Sequence, residues 1–346
     1  MKIAIISDQH FGFKKGSKIY HDFFLKFYEE VFFPVIDKLG ITTIVDMGDT
    51  FDSRKGIDFG ALAWAKDNYY DPLAQRNITI HTIVGNHTAY YKNTNEVNAV
   101  DLLLREYDNV KIYAEAGEVK LGNLNTLFIP WINSDNSQST YKTIKQSDCR
   151  IAMGHLELNG FRAHRGHIME DGHDAKIYEK FDKVFSGHYH TRSDDGRIFY
   201  LGNPYQMFWS DVNDKRGFVI FDTETLEHKY LNNPNELYKI VRYNNTPRQT
   251  FKYQEYAGKI VKLIVEQRDS HKEYEKFVDG FDKVDLVDLN IVDQTVNIAD
   301  AELNVDEFED TLSILDKYVD ELEFSLSKST LKSILRETYQ EACNVT

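Results

Sequence analysis

Residues 83–91 read IVGNHTAYY. A β-branched run of the kind that forms a buried strand stops at a glycine. Asparagine and histidine then stand side by side, followed by an uncharged threonine. A strand that ends on Asn86-His87 puts two metal-competent groups at the rim of a sheet, and the same design recurs along the chain.

Short apolar runs repeatedly give way to tight turns carrying Asp, Asn or His. KIAIIS (2–7) leads into Asp8 and His10, and TTIVDM (42–47) into Gly48-Asp49 and Asp52. ITIHTIV (78–84) leads into Gly85-Asn86-His87. RIAM (150–153) precedes Gly154-His155, and KVFS (183–186) precedes Gly187-His188-Tyr189-His190. Helix-length stretches, YHDFFLKFYEEVFFPVIDKLG and FGALAWAKDNYYDPLAQR, separate the first three. Alternation of strand and helix predicts an α/β layered fold. GRIFYLG (196–202) and RGFVIFDTETLEHKYL (216–231) read as antiparallel strands and hairpins. The polar stretch 232–258 reads as a linker, and KIVKLIVEQ, HKEYEKFVDGF and KVDLVDLNIV as a small βαβ unit.

In open α/β sheets, ligands bind where the carboxyl ends of strands converge. Five such ends here offer Asp8, His10, Asp49, Asp52, Asn86, His87, His155, His188 and His190. Carboxylate, imidazole and amide oxygen together suit Mn²⁺, Fe²⁺ or Zn²⁺, and the lack of cysteine argues against a structural zinc site. The set is too large for one ion and suits a pair, roughly 3.5–4 Å apart, that activates a water and neutralises a phosphate in transfer. Glycines before Asp49, Asn86, His155 and His188 let the backbone turn sharply there. Taken singly, each feature is ordinary. GD and GN are common turn chemistry, and His21 and His81 read as packed or surface residues. His164, His167 and His173 make a second histidine group, but they follow no strand. The joint occurrence after five strands carries the reading.

Bulk properties bound the rest. The 346 residues are 42% hydrophobic and 13% aromatic, enough for a sizeable core. The net charge of −14 argues against a protein that coats nucleic acid indiscriminately. Eight of those charges fall in residues 297–346, so a local basic groove in the body is still compatible with the total. Two cysteines form no disulfide framework, no apolar run reaches membrane length, and MKIAIISDQH does not read as a signal peptide. The expectation is a cytoplasmic protein.

The order DxH, GDxxD, GNH, GH, GHxH resembles that of the calcineurin-like metallophosphoesterases. The flanks SDQHFG (7–12), GDTFDSRK (48–55), YYKN (90–93), GHLELNGF (154–161), SGHYHT (186–191) and YLGNP (200–204) narrow the resemblance. They are similar to the SbcD-type nucleases of double-strand-break repair, in the branch of T4-like phage recombination endonuclease small subunits. The resemblance runs through residues 1–225 in motifs and continues beyond as organisation only. It implies a metallophosphoesterase β-sandwich flanked by helices, with a small α+β cap and a C-terminal helical hairpin. The segments expected are 1–231 for the nuclease domain, 232–298 for linker and DNA-binding cap, and 299–346 for partner binding.

For the site, the resemblance implies two divalent ions, Mn²⁺ or Mg²⁺. Asp8, His10, Asp49 and His190 would hold one; Asp49, Asn86, His155 and His188 would hold the other, with Asp49 shared. His87 would be the catalytic histidine at the leaving oxygen, and Asp52 would orient it or tune its charge. The family usually has an acid where Thr88 stands. That acid is no metal ligand, so its replacement bears on how the loop is braced and how charged His87 is.

On the rim, Lys14, Lys15, Lys18, Arg54, Lys55, Lys92, Arg162 and Arg165 are candidates to track DNA phosphates, with Tyr91 available for base stacking. A solvated rim with incidental charge is the alternative. Val305, Phe308, Leu312, Leu315, Val319 and Leu322 form a heptad-type stripe, and Leu331, Ile334, Leu335, Thr338, Tyr339 and Ala342 a second one. These helices either pack on their own domain or, as the resemblance implies, grip the coiled coil of an SMC-like ATPase. The expected activity is metal-dependent DNA cleavage, on duplex ends and single strands, by a homodimer in phage recombination. The competing readings are a phosphatase or small-molecule phosphodiesterase with the same metal site, and a silent scaffold.

Overall fold

The computed structural model describes residues 1–294 except Arg165 and Asp269, together with Val319, Leu331, Lys332 and Leu335. Apart from those isolated positions, the two apolar stripes of the tail lie outside the described residues. The fold is mixed α/β, built on two six-stranded sheets.

The first sheet has Lys2–Ile6 at its centre. This strand runs parallel to Thr43–Asp46, which pairs in parallel with Thr79–Ile83 and, through it, with Val110–Tyr113. On the other side the antiparallel hairpin Gly217–Asp222 and His228–Asn232 completes the sheet. In the second sheet, Ile151–Gly154 runs parallel to both Leu124–Ile129 and Lys183–Ser186. Continuous β-branched and aromatic runs suit strands covered on both faces. Ile3, Ile5, Val45, Met47 and Val219 from the first sheet meet Phe128, Ile151, Met153 and Phe185 from the second, all fully buried. The main core is therefore the space between the sheets.

The outer face of the first sheet is covered by helix. Lys18–Phe27 and Phe33–Leu39 are joined by a π-helical turn, Tyr28–Phe32, and Phe59–Ala65 continues into Asp71–Gln75 through another. Gly40, at φ 60°, ends the first stretch in the left-handed cap that glycine takes without strain. Asp58 opens the second by accepting from the Ala61 N–H. Phe24 stacks on Tyr205 at 3.7 Å, and Phe27 and Phe32 both contact Phe218. The outer face of the second sheet packs Ile144, Tyr178 and Phe181.

Two features depart from the expected elements. Ile198–Tyr200 pairs in parallel with Lys183–Ser186 as well as antiparallel with Ser193–Asp194. Inside the stretch that reads as a linker, Tyr238–Arg242 is a strand, parallel to Ile260–Val265. That strand in turn pairs in parallel with Asp288–Asp293, after the helix His271–Val278. The polar flanks NNPN and YNNTP mask a five-residue strand whose Tyr238 and Val241 are buried. No helix among the described residues is long and apolar enough to cross a membrane.

Candidate metal centre

The carboxyl ends of five parallel strands meet at one edge of the sandwich. From the first sheet, Lys2–Ile6 delivers Asp8 and His10, Thr43–Asp46 delivers Asp49, and Thr79–Ile83 delivers Asn86 and His87. From the second, Ile151–Gly154 delivers His155, and Lys183–Ser186 delivers His188 and His190. Asp8, His10, Asp49 and His155 are at most 1% exposed.

The turns that bring these side chains together are strained. Asp8 (φ 52°), His10 (φ 48°), Asp49 (φ 50°) and His188 (φ 84°) all lie in the left-handed region, at a cost of about 1 kcal/mol or more each. Cross-strand bonds hold them there. The N–H of Asp8 donates to the Gly48 carbonyl at 3.0 Å, that of His10 to Asp49 at 3.0 Å, and that of Phe11 to Thr50 at 2.8 Å. Gly85 is required by space, because a Cβ would collide with the backbone and carboxylate of Asp49.

Asp8, His10 and His190 form a first group of donor atoms and Asp49, His155 and His188 a second; a third, His10, Asp52 and His87, shares His10 with the first. In the second, His155 Nδ1 lies 2.9 Å from the Met47 carbonyl, which can only accept, so Nδ1 carries the hydrogen. Nε2, free to present a lone pair to a metal ion once it gives up its proton, lies 2.9 Å from Asn86 Oδ1 and 3.2 Å from Asp49 Oδ2. His188 Nδ1 lies 2.9 Å from the same amide oxygen. Asp49, Asn86, His155 and His188 thus turn ligand atoms onto one point, which is the environment of a cation. In the first group His10 Nδ1 faces Asp52 Oδ1 at 3.1 Å, turning His10 Nε2 onto His190 Nε2 at 3.0 Å. These residues fit divalent ions of the Mn²⁺, Fe²⁺ or Zn²⁺ kind.

The electrostatics agree. Burial opposes a charge on His155, yet Asp49 and Asp8 outweigh it and raise the imidazole to about 9, so a proton takes the cation's place. Burial works against ionised Asp49 as well, but the charges of His155 and His87 hold it well below the usual carboxylate range. His188 is driven down to about 3 by burial and by the charge of His155. Burial and the charge of His10 also hold His190 well below the ordinary imidazole value.

Asp52 divides its roles. Its carboxylate meets His10, whereas its main-chain carbonyl accepts from His87 Nδ1 at 2.8 Å. The hydrogen bond that orients His87 comes from the Asp52 main chain and not, as expected, from its side chain, while the carboxylate, with an oxygen within 4.8 Å of a His87 ring nitrogen, stays close enough to bear on the charge of that ring. The main-chain N–H of His87 donates to Asp49 Oδ1 at 2.8 Å. Thr88 is fully buried, and its hydroxyl accepts from the Gly85 N–H at 3.1 Å and donates to the Gly85 carbonyl at 3.0 Å. The threonine thus braces the turn locally.

Rim residues are more varied. Lys14 and Lys15 are exposed on a left-handed turn, φ 52° and 58°. Lys18 is engaged by Asp22 at 2.6 Å. The Arg54 guanidinium lies over the Trp131 ring at 5.5 Å. Lys55, Lys92 and Arg162 are exposed, Tyr91 is half exposed and sits edge-on to Tyr90, and Arg165 lies outside the described residues. His21 stacks on Trp64 and His81 bonds the Tyr113 hydroxyl, as packed histidines do. His164 and His167 stack, but His173 turns to Tyr141, and no metal-competent group forms around them among the described residues.

Sequence reasoning missed the supports. Ser7 donates to Asp8, and Gln9 and Thr50 both donate to the buried Asp46. Arg216 donates to the His190 carbonyl and ion-pairs with Asp211 and Asp214. An acid inside the apolar run IVDM and an arginine opening GFVIFD were the available signals.

The family model for calcineurin-like phosphoesterases matches residues 1–192. Exonuclease subunit 1 of Enterobacteria phage T4 is 32% identical over 304 residues, covering 87% of this chain and 88% of that protein. Solved structures with looser likeness include an archaeal phosphodiesterase (15% identity, TM-score 0.35, covering 67% of this chain and 99% of that one). Another is a dimetal phosphatase from Danio rerio (11% identity, TM-score 0.36, covering 64% and 91%).

Proposed function

The chain belongs to the calcineurin-like phosphoesterase family, with exonuclease subunit 1 of phage T4 as a relative, and from that premise we propose that it is a metal-dependent DNA nuclease. It would act as an exonuclease on duplex ends and as an endonuclease on single strands. The observation that carries the reading is the convergence of Asp8, His10, Asp49, Asn86, His155, His188 and His190 at one sheet edge. Asp8, His10, Asp49 and His190 would hold one ion; Asp49, Asn86, His155 and His188 would hold the other. Mn²⁺ is the ion we favour, with Mg²⁺ second. When bound, such ions activate a water and neutralise charge on the phosphate.

The chain's own residues do the rest. With its Nδ1–H engaged by the Asp52 carbonyl, His87 keeps Nε2 for the leaving oxygen and can hand it a proton. The Asp52 carboxylate fixes the tautomer and orientation of His10. Lys14, Lys15, Lys18, Arg54, Lys55, Lys92, Arg162 and Arg165 would track DNA phosphates, and Tyr91 would stack on an unpaired base. Residues 1–231 would form the nuclease domain and 232–298 a cap over DNA. Residues 299–346 would dock on the coiled coil of an SMC-like ATPase, with two copies forming the working dimer.

The test is to incubate the chain with labelled duplex and single-stranded DNA in Mn²⁺ or Mg²⁺, with and without the ATPase. Metal-dependent shortening of duplex ends that EDTA abolishes supports the proposal. A preparation with bound metal that cleaves no DNA in either form, with or without the ATPase, refutes it.

A further inference from the structure

Glu157 carries a carboxylate at the mouth of the centre that no role above uses. Its Oε2 lies 3.9 Å from His188 Nε2, and the side chain is 41% exposed. The segment that presents it is fixed on every side. Leu156 N–H donates to Ser186 Oγ at 3.0 Å, and the Tyr200 hydroxyl donates to the Leu156 carbonyl at 3.0 Å. The Glu157 carbonyl accepts from the His173 N–H at 2.8 Å. The Leu158 N–H reaches the Tyr200 hydroxyl at 3.1 Å, and the Leu158 carbonyl accepts from Tyr189 at 2.9 Å. Among the described residues, His188 is the only basic side chain within 4 Å of Glu157, and burial and the charge of His155 keep that imidazole neutral. A negative charge is thus held beside the candidate metal donors, part-exposed to solvent and, among the described residues, with no lysine or arginine paired to it.

We infer that Glu157 sets the charge of substrate the centre accepts, favouring phosphodiesters over phosphomonoesters. This rests on the reading of the site as a phosphoester-hydrolysing metal centre. At neutral pH a phosphodiester carries one negative charge and a monoester close to two. A fixed carboxylate on the approach penalises the second charge. One unit charge about 8 Å away, at an effective dielectric of 20–40, changes binding roughly five- to thirtyfold. Support of His188 is not the role of Glu157. At 3.9 Å the contact exceeds hydrogen-bond reach. His188 is already anchored by Asn86 on Nδ1 and by Asp8 on its main-chain N–H at 3.1 Å.

The experiment compares the full-length parent with Glu157→Gln and Glu157→Lys, loaded with Mn²⁺. Substrates are bis(p-nitrophenyl) phosphate and p-nitrophenyl phosphate. Calorimetry reads the binding of inorganic phosphate and the Mn²⁺ stoichiometry. Glu157→Gln is expected to raise kcat/KM for the singly charged diester, and to raise it for the monoester by a further factor of roughly five to thirty, so that the monoester-to-diester ratio climbs roughly five- to thirtyfold. Inorganic phosphate should tighten by a similar factor, Glu157→Lys should go further, and the metal stoichiometry should hold. An unchanged ratio of the two esters and unchanged phosphate binding in both variants would overturn the inference. So would loss of one Mn²⁺ with both esters falling together, which would make Glu157 a support for His188. If the model esters are hydrolysed but DNA is not, the nuclease reading falls and the ester ratio still decides this one. Should the parent hydrolyse neither ester, the phosphate titration decides it.

Discussion

The main-chain N–H of His87 donates to Oδ1 of Asp49 at 2.8 Å, while Oδ2 of the same carboxylate faces Nε2 of His155 at 3.2 Å. Asp49 therefore joins the turn that carries His87 to the donors of the second sheet. Asp49→Ala should remove both divalent ions, since the shared carboxylate is lost, and lower cleavage by more than about 10³-fold. Metal content by plasma emission and cleavage rate check it. A variant that cleaves like the parent would break the two-ion assignment.

Asp52 allows its two contacts to be separated. Asp52→Ala removes the carboxylate from His10 and leaves the carbonyl that holds His87. Metal affinity at one of the two sites should fall roughly 10- to 100-fold, the usual cost of losing a carboxylate behind a metal-binding histidine. A calorimetric Mn²⁺ titration with two resolved sites reads this directly. Equal weakening of both sites would mean that Asp52 acts on the centre as a whole.

Thr88 is testable through stability as well as rate. Thr88→Val keeps the shape but strips the hydroxyl from the Gly85 N–H and carbonyl, which are buried. The cost should be about 1–3 kcal/mol of unfolding free energy, read by urea denaturation. Thr88→Asp restores the acid usual in the family. It should shift the pH profile of cleavage and leave the Mn²⁺ stoichiometry at two, because residue 88 lies behind the ligands.

Metal-free protein should be most stable near neutral pH. Burial opposes the proton on His155, but Asp49 and Asp8 raise it to about 9. A raised histidine contributes stability that is fully present below about pH 6.5 and is lost as pH rises through about 9. His188, lowered to about 3 by burial and the charge of His155, works the other way. Its contribution is present above about pH 6.5 and is lost as pH falls toward 3. The Tm in EDTA should decline on both sides, and Mn²⁺ affinity should climb between about pH 6.5 and 9 as His155 gives up its proton. A Tm that keeps rising to pH 9 in EDTA would contradict this.

The strand ends were legible because the chemistry is concentrated there. A buried strand that stops on Gly-Asn-His has no packing reason to do so, and five such stops in one chain converge wherever the strands are parallel. The parallel sheets and the seven donors follow from that pattern. The division of labour within Asp52 was not legible, since it depends on which atom of one residue meets which ring, and spacing is blind to that. Arg216 sits twenty-six residues from His190 in sequence and reaches it only because Gly217–Asp222 pairs with Lys2–Ile6. The strand Tyr238–Arg242 hid behind polar flanks because its neighbours, Ile260–Val265 and Asp288–Asp293, supply the pairing that its own composition does not announce.

The most direct test places Mn²⁺ stoichiometry and single-turnover DNA cleavage on the same sample of His87→Gln. His87 is held by the Asp52 carbonyl and Asp49, beside the metal donors. In its proposed role of protonating the leaving oxygen, it should supply roughly 10²–10⁴ in rate. The variant should bind two Mn²⁺ ions and DNA as the parent does, and cleave about 10²–10⁴ more slowly. Loss of one ion, or cleavage at the parental rate with both ions present, would contradict the role assigned to His87.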